Sequence, residues 1–266
     1  MIDLSKTSGL PIELKEDLRI KFNPPMANRE PTYVRKFSQV LPVLLDPKIV
    51  PPVEETYLGY RALALPQDEE LFQTAHLQYD LTIVPPLKLG REFNKTMGHY
   101  HANLPGTAVA HPEVYEVLHG TALFLIQKMD PDFKEVFSVY AIEAQTGEKV
   151  IYPPNYGHIM INVGNDVLVT ANWLSTDYQP MYEPVSGKQG MAYYVVAGQG
   201  KPYDFIPNPA YGPALAPVRV LSKKFMANFP ITGAKPIYTA AVINPKNLAF
   251  LNDPLKYAVE LSTITS

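Results

Sequence analysis

Prolines are spread along the whole chain, and they limit its possible folds more than any other feature. There are 27 of them in 266 residues, which is about twice the usual frequency. Proline removes a backbone donor and breaks helices, and in sheets it is confined to edge strands and strand ends. The chain is therefore predicted to consist of short elements joined by many turns, which argues against a helical bundle or a coiled coil.

The sequence from residue 55 to residue 198 has the pattern of short β-strands. Residues 76–90, for example, alternate apolar and polar side chains, as a strand with one buried face does. Turn signals at Gly120, Gly147 and Gly164 separate successive stretches. Because no β-α-β rhythm accompanies this spacing, an antiparallel sandwich or barrel is favoured.

The two ends of the chain are interpreted as additions to one core rather than as separate domains. We expect a single domain over residues 1–266, with a core of about 55–198. Residues 1–54 would form an irregular covering segment, in which residues 33–45 could hold a short helix or strand. Residues 199–266 would form a C-terminal extension that packs on the core.

Charge and composition exclude several classes of protein. The net charge of −3 offers no basic excess for a phosphate backbone, so no nucleic-acid partner is expected. No apolar run approaches the ~18 residues of a membrane span, and the first residues are too charged for a signal peptide, so a cytoplasmic protein is expected. The absence of cysteine leaves only nitrogen and oxygen donors for any metal site.

Two of the six histidines, His99 and His101, form an H-x-H pair. Residues i and i+2 of a strand point to the same face, so the two imidazoles could bind one divalent metal ion. Taken alone, however, such a pair more often consists of two surface histidines than of two metal ligands.

The sequence after this pair extends it into a larger pattern. Glu113 is followed by six residues and then Gly120, while Gly147 is followed by five residues and then Pro153, with His158 close behind. These blocks resemble the paired motifs of the cupin superfamily, G-x5-H-x-H-x3,4-E-x6-G and G-x5-P-x-G-x2-H-x3-N. The resemblance implies an all-β fold, the cupin double-stranded β-helix (jelly-roll) barrel, with N- and C-terminal extensions and a few short helices.

A narrower resemblance rests on T-x-G-H-x-H from Thr96, E-V-Y from Glu113 and Y-P-P-x-x-x-H-x-x-x-N from Tyr152. These motifs are similar to those of the cupin-type glucose-6-phosphate isomerases first known from archaea, over about residues 55–185. The resemblance implies a metal-dependent isomerase that interconverts glucose 6-phosphate and fructose 6-phosphate in glycolysis and gluconeogenesis. It also implies a sugar phosphate substrate and a homodimer.

The resemblance further implies a ligand set and a substrate site, position by position. Fe²⁺ is the expected metal, one ion per chain, with Mn²⁺, Zn²⁺ and Ni²⁺ as alternatives. Glu113 and Tyr115 would be catalytic, with Glu113 as the acid/base. The metal ligands would be His99, His101, Glu113 and His158. The contacts to the sugar phosphate would come from Thr82, Thr96, Gly98 and Tyr182.

Two assignments around this site remain open. Glu116 competes with Glu113 as the functional carboxylate, although it lies on the opposite strand face and breaks the six-residue spacing to Gly120. The loop of eleven residues between His101 and Glu113 is longer than the family pattern, and His111 within it is expected at the surface rather than in the cavity mouth.

Two other functions compete with the isomerase. One is a cupin dioxygenase that uses the same three histidines and one glutamate, and the other is a non-catalytic cupin that binds a sugar or a metal. The hydroxyl groups expected around the substrate favour the isomerase, because an oxygenase needs no phosphate cradle. Lys88, Arg91 and Lys95 either steer an anionic substrate or belong to a solvated rim.

Overall fold

The computed structural model describes residues 1–265, apart from the side chains of Lys224 and Phe225. Its strands are β1 (Ile2–Asp3), β2 (Ile12–Leu14), β3 (Ile20–Phe22), β4 (Tyr33–Lys36), β5 (Glu55–Tyr60), β6 (Leu77–Val84), β7 (Lys88–Leu89), β8 (Glu92–Phe93), β9 (Tyr100–His101), β10 (Glu113–His119), β11 (Thr121–Met129), β12 (Val136–Gln145), β13 (Lys149–Tyr152), β14 (Tyr156–Asn162), β15 (Leu168–Ser175), β16 (Pro180–Met181), β17 (Tyr193–Ala197), β18 (Tyr203–Pro207) and β19 (Val218–Val220). Its α-helices are α1 (Ser5–Ser8), α2 (Phe37–Val40), α3 (Glu69–Thr74), α4 (Glu183–Ser186), α5 (Ile237–Ile243), α6 (Ala249–Asn252) and α7 (Ala258–Ser262). Within residues 1–265, no helix has both the length and the apolar character that crossing a membrane requires.

Two facing sheets make up the centre of the fold. The larger sheet has the strand order β13-β10-β15-β6-β5-β4, and the smaller has the order β14-β11-β12-β19. Side chains of the two sheets meet between them: the ring of Phe124 on β11 lies 5.6 Å from that of Tyr115 on β10 and 5.7 Å from that of Tyr152 on β13. The predicted all-β class, with two sheets around a shared interior, is confirmed.

The strands of the larger sheet are covered on both faces. All eight residues of β15 are buried, because one face meets the smaller sheet and the other meets helices. On the outer face Trp173 packs against Phe72 of α3, with ring centroids 4.5 Å apart, and against Tyr238 of α5. The Trp173 Nε1–H also donates to the carbonyl of Ile237 at 3.1 Å. The C-terminal segment therefore closes the outer side of the sheet that carries the candidate site.

The N-terminal segment does more than cover the core. Its strand β4 pairs antiparallel with β5 and forms the edge of the larger sheet. Residues 33–45 hold both of the alternatives expected there, a strand followed by the helix α2. Tyr33 and Arg35 of β4 line the same cavity as the predicted site residues, so this segment contributes directly to the site.

Candidate metal and substrate site

Strand register brings the candidate site residues of the larger sheet onto one face. Glu113 lies opposite Tyr152, while Tyr115 lies opposite Asn172, which in turn lies opposite Asp80. Residues directly opposite each other in antiparallel strands share a face, and Glu113 and Tyr115 share one by their spacing of two. All five line one cavity of about 70 Å³.

A short bridge between two segments places the histidines over this cavity. The backbone N–H of His99 donates to the carbonyl of His158 at 3.1 Å, and the reverse bond is 3.0 Å. Gly98, just before this bridge, has a φ of +74°, and a Cβ there would come within 3.3 Å of the His158 carbonyl oxygen. Glycine is the residue that adopts this conformation without strain, so Gly98 permits the close approach of the two segments.

The four predicted metal ligands are brought together in the structure. The donor atoms of His99, His101, Glu113 and His158 all lie within 4.8 Å of one another. The Oε2 atom of Glu113 is 3.5 Å from His101 Nε2 and 3.3 Å from His158 Nε2. Two donors that each lie about 2.1 Å from one ion are separated by about 3.0–3.4 Å at octahedral or tetrahedral angles. One of the two measured distances lies within this range and the other exceeds it by about 0.1 Å, so the spacing fits a shared metal ion.

The hydrogen bonding of these atoms points the same way. His101 Nε2, His158 Nε2 and Glu113 Oε2 are buried and have no hydrogen-bond partner among the described residues. Buried polar atoms are normally paired, and three imidazoles with one carboxylate form a donor set for a divalent transition metal. The chain thus has a three-histidine, one-glutamate metal-binding group.

Neighbouring groups orient two of the ligands. His101 Nδ1 lies 2.8 Å from the carbonyl oxygen of His111, and because a carbonyl can only accept, Nδ1 carries a proton and Nε2 is the nitrogen that faces Glu113. Glu113 Oε1 accepts a hydrogen bond of 2.6 Å from Asn172 Nδ2. Such outer contacts fix the tautomer and orientation of metal ligands.

Burial and mutual contact set the charge of the cluster. Burial lowers the pKa of His99 and of His158, so both imidazoles are held in the neutral form. Burial alone would raise the pKa of Glu113, but the contacts with His101 and His158 outweigh it and lower that pKa. Neutral imidazoles and an ionised carboxylate are the forms that bind a metal ion.

The predicted substrate-contacting residues line the same cavity. The Thr82 hydroxyl lies 3.2 Å from the phenol oxygen of Tyr33. The Thr96 hydroxyl accepts from the backbone N–H of Met160 at 3.1 Å, which leaves its own proton available to a ligand. The Tyr182 ring lies 5.2 Å from that of His99. The contact of Thr82, Thr96, Gly98 and Tyr182 with a substrate stays a prediction, as do the roles of Glu113 and Tyr115.

The competing carboxylate, Glu116, faces away from the cavity. One of its oxygens lies 3.0 Å from Lys149 Nζ, and the other accepts from the backbone N–H of Ile237 at 2.7 Å. The hydrogen bond from Ile237 ties the C-terminal segment to β10. Of the two glutamates, only Glu113 belongs to the metal-binding group.

Two expectations about neighbouring residues are wrong. His111 is buried rather than at the surface, with 8% of it exposed, because the C-terminal segment covers its loop and its Nδ1–H donates to the Leu251 carbonyl at 2.8 Å. Lys95 is neither a steering charge nor part of a solvated rim, because it forms a buried ion pair with Glu92.

Several cavity residues were not expected from the sequence. Asn172 could have been found, because it alternates with Thr170 on the strand DVLVTANWLS and so shares the face of its neighbours. Arg35 carries no comparable signal, because its strand has four residues and no periodicity. The other unexpected residues that line the cavity include Tyr33, Arg61, Asp80 and Tyr178.

Comparison with known proteins places this geometry in a family. The family model described as "Glucose-6-phosphate isomerase (GPI)" matches residues 34–206. The glucose-6-phosphate isomerase of Pyrococcus furiosus is 28% identical over 56% of this chain and 70% of its own length. That of Thermococcus litoralis is 30% identical over 53% of this chain and 67% of its own. A "Putative glucose-6-phosphate isomerase 1" of Rhizobium meliloti is 24% identical over 64% of this chain and 75% of its own length.

Solved structures overlap with about half of the chain. Oxalate decarboxylase from Bacillus subtilis matches with a TM-score of 0.34 and 18% identity, over 50% of this chain and 29% of that one. Vicilin from hazelnut, Corylus avellana, matches with a TM-score of 0.35 and 12% identity, over 48% of this chain and 32% of that one. At these TM-scores the overlap says nothing about function.

Proposed function

Because the chain belongs to the glucose-6-phosphate isomerase family, we propose that it is a metal-dependent isomerase that interconverts glucose 6-phosphate and fructose 6-phosphate, a step of glycolysis and gluconeogenesis. The observation that carries the proposal is the position of Glu113. Its carboxylate lies among three imidazoles in a cavity that also presents the hydroxyl groups of Thr82 and Thr96. Groups suited to acid/base chemistry and to phosphate binding therefore line one cavity, which supports the proposal.

The metal ion would be held by the three histidines and Glu113, with Fe²⁺ favoured over Mn²⁺, Zn²⁺ and Ni²⁺. When bound, it supplies Lewis-acid polarisation of the oxygens on C1 and C2 of the sugar. The proton on His101 Nδ1 is engaged by the His111 carbonyl, so the ring presents Nε2 to the ion.

Glu113 is the proposed acid/base. Conversion of the aldose to the ketose moves a hydrogen from C2 to C1, while the hydroxyl proton of O2 passes to O1. Glu113 would take the C2 proton and return it to C1 of the enediol, which is general acid/base catalysis by a positioned carboxylate. Tyr115 stays a neutral phenol, because burial raises its pKa well above the ordinary value, and it can donate a hydrogen bond to a sugar oxygen.

The phosphate end of the substrate would lie against hydroxyl and backbone donors. The proposed donors are the hydroxyl groups of Thr82, Thr96 and Tyr182 and the backbone N–H of Gly98. Hydrogen bonds to an anionic acceptor are roughly twice as strong as neutral ones, so such a set can bind a phosphate group without a glycine-rich phosphate loop.

A coupled assay tests the proposal. The full chain is incubated with fructose 6-phosphate and, in turn, Fe²⁺, Mn²⁺, Zn²⁺ and Ni²⁺, and the formation of glucose 6-phosphate is followed through its dehydrogenase. We expect turnover with at least one metal and none after chelation. No turnover with any of these metals would refute the proposed activity.

An isotope experiment tests the role of Glu113 separately. Glucose 6-phosphate deuterated at C2 is converted in water, and the deuterium at C1 of the product is measured. Proton transfer through Glu113 predicts partial or complete loss of the label to solvent. Full retention at C1 would instead indicate a direct hydride shift and contradict the acid/base role.

A further inference from the structure

Strand β4 sends a cationic side chain into the substrate cavity from outside the predicted core. Arg35 lies opposite Tyr57 of β5, and Tyr33 lies opposite Gly59. A Cβ at Gly59 would collide with the ring of Tyr33, so glycine there allows that ring to lie across β5 and reach Thr82. The fold thus places the Tyr33 side chain beside the Thr82 hydroxyl, and Arg35, two residues further along β4, lines the same cavity.

The surroundings of Arg35 are phenolic rather than acidic. Its guanidinium carbon lies 5.5 Å from the ring centre of Tyr182 and 5.9 Å from that of Tyr33. Its Nη2 donates to the Tyr182 hydroxyl over a long 3.4 Å. The other neighbouring group that interacts with the guanidinium is the phenol of Tyr57. Within residues 1–265, Arg35 forms no ion pair with a carboxylate.

The Nε atom of Arg35 is buried and has no hydrogen-bond partner among the described residues. A buried donor on a cation is costly unless an acceptor satisfies it. The guanidinium group presents paired N–H donors whose geometry matches the oxygens of carboxylate and phosphate. The second guanidinium of the cavity, that of Arg61, lies 5.3 Å from the ring centre of Tyr33, and it also interacts with the carboxyl group of Asp80.

We propose that Arg35 is a specificity-determining residue whose guanidinium binds the phosphate monoester of the substrate, next to the hydroxyl groups of Thr82 and Thr96. A phosphate carries about two negative charges at pH 7. One phosphate group can therefore both accept a hydrogen bond from Arg35 Nε and neutralise the guanidinium. This inference deepens the proposed function and rests on it for the identity of the sugar. The binding of phosphate by Arg35 can be measured without turnover.

The test compares Arg35→Gln, Arg35→Lys and the control Lys36→Gln by isothermal titration calorimetry. Lys36 is the adjacent residue, exposed and paired with Glu54 at the surface, so its replacement controls for a lost charge outside the cavity. Each protein is titrated with inorganic phosphate, fructose 6-phosphate and fructose. We expect Arg35→Gln to weaken binding of both phosphate ligands about tenfold to hundredfold, the range for a hydrogen bond to a charged group.

The remaining arms separate phosphate recognition from folding and from turnover. Arg35→Lys should lose less affinity than Arg35→Gln, and Lys36→Gln should stay within twofold of the original chain. Fructose should bind equally to all four proteins, whereas a folding defect in Arg35→Gln would weaken fructose as well. Unchanged phosphate affinity in Arg35→Gln, or no phosphate-dependent binding by the original chain, would overturn the inference. Phosphate binding that depends on Arg35 without isomerase turnover would overturn the proposed function alone.

Discussion

Asn172 donates a hydrogen bond from Nδ2 to Oε1 of Glu113 at 2.6 Å, and both side chains are buried. This bond engages one oxygen of the carboxylate, while the other, Oε2, faces His101 and His158. Because the two residues stand on neighbouring strands, β15 and β10, the sheet itself determines how the carboxylate is presented to the metal-binding group.

Replacement of Asn172 by leucine should therefore damage the site without reshaping it. Leucine has the same branched skeleton of four side-chain heavy atoms but no donor, and a hydrogen bond to a charged group is worth about 1.5–3 kcal/mol. We expect Asn172→Leu to lower isomerase activity roughly tenfold to hundredfold and to retain less metal after dialysis, as measured by elemental analysis. Asn165→Leu, at an exposed position, is the control. Activity of Asn172→Leu within twofold of that of the control would show that this bond does not orient Glu113.

The two glutamates of β10 allow a direct comparison. Glu113 and Glu116 are both buried, but only Glu113 points into the cavity. Loss of a general acid/base typically lowers the rate 10²–10⁴-fold, so we expect a loss of that size for Glu113→Gln and a change of less than about threefold for Glu116→Gln. The coupled assay on both variants, with the metal content measured in parallel, decides between them. A larger loss in Glu116→Gln would mean that the wrong carboxylate had been assigned.

The grouping of the four metal-binding side chains could be predicted from the resemblance to the cupin motifs, and local rules account for only part of it. The H-x-H spacing puts His99 and His101 near each other, and strand parity decides that Glu113 and Glu116 face opposite ways. The all-β class likewise follows from short alternating stretches and frequent turn residues. These local features depend on residues close together in the sequence, whereas the approach of His158 to Glu113 is a long-range contact that only the resemblance implies.

The parts that could not be predicted depend on long-range packing. His111 is buried because Leu251, 140 positions away, lies against it, and no local pattern in its loop indicates that. Arg35 enters the cavity because the four-residue strand β4 pairs with β5, and four residues are too few to show a period. In the sequence Lys95 has the character of a surface charge. Its burial depends on the ion pair with Glu92, which is buried with it.

The contact between His111 and Leu251 predicts a link between the C-terminal segment and the metal-binding group. The His111 ring donates to the Leu251 carbonyl, while its backbone carbonyl accepts from His101. His111→Ala leaves a buried carbonyl without its donor, which costs about 1–3 kcal/mol, and it loosens the support of His101. We expect a lower free energy of unfolding by urea denaturation and a metal affinity weaker by about tenfold to hundredfold.

The control for this prediction is His76→Ala, because the side chain of His76 is 65% exposed. It should match the original chain in both measurements. Unchanged metal affinity in His111→Ala, with only the stability reduced, would limit His111 to a structural role.

Removal of His158 tests the ligand assignment itself. His158 is buried, and its Nε2 faces Glu113 Oε2 at 3.3 Å. His158→Ala takes one of four donors away, so we expect most of the bound metal to be lost, measured by elemental analysis of the purified protein. His119→Ala, whose ring contacts Asp166 near the surface at 3.0 Å, should keep the metal content of the original chain. Equal metal content in the two variants would refute His158 as a ligand.

Glu116 should also give the stability of the fold a measurable pH dependence. Burial raises its pKa from 4.5 to about 7, although Lys149 and the Ile237 N–H favour the ionised form. Because the folded state binds this proton more tightly than the unfolded chain does, the stabilisation is complete below about pH 4.5 and is lost as the pH rises through about 7. A shift of this size corresponds to roughly 3 kcal/mol.

Glutamine does not titrate, so the free energy of unfolding should fall less between pH 5 and pH 8 in Glu116→Gln than in the original chain. Urea denaturation at intervals across this range measures the difference. Glu70→Gln, at an exposed position of α3, removes an exposed carboxylate instead of a buried one. Its free energy of unfolding should follow the curve of the original chain. If Glu116→Gln follows that curve as well, the contact between β10 and the C-terminal segment does not depend on the protonation of Glu116.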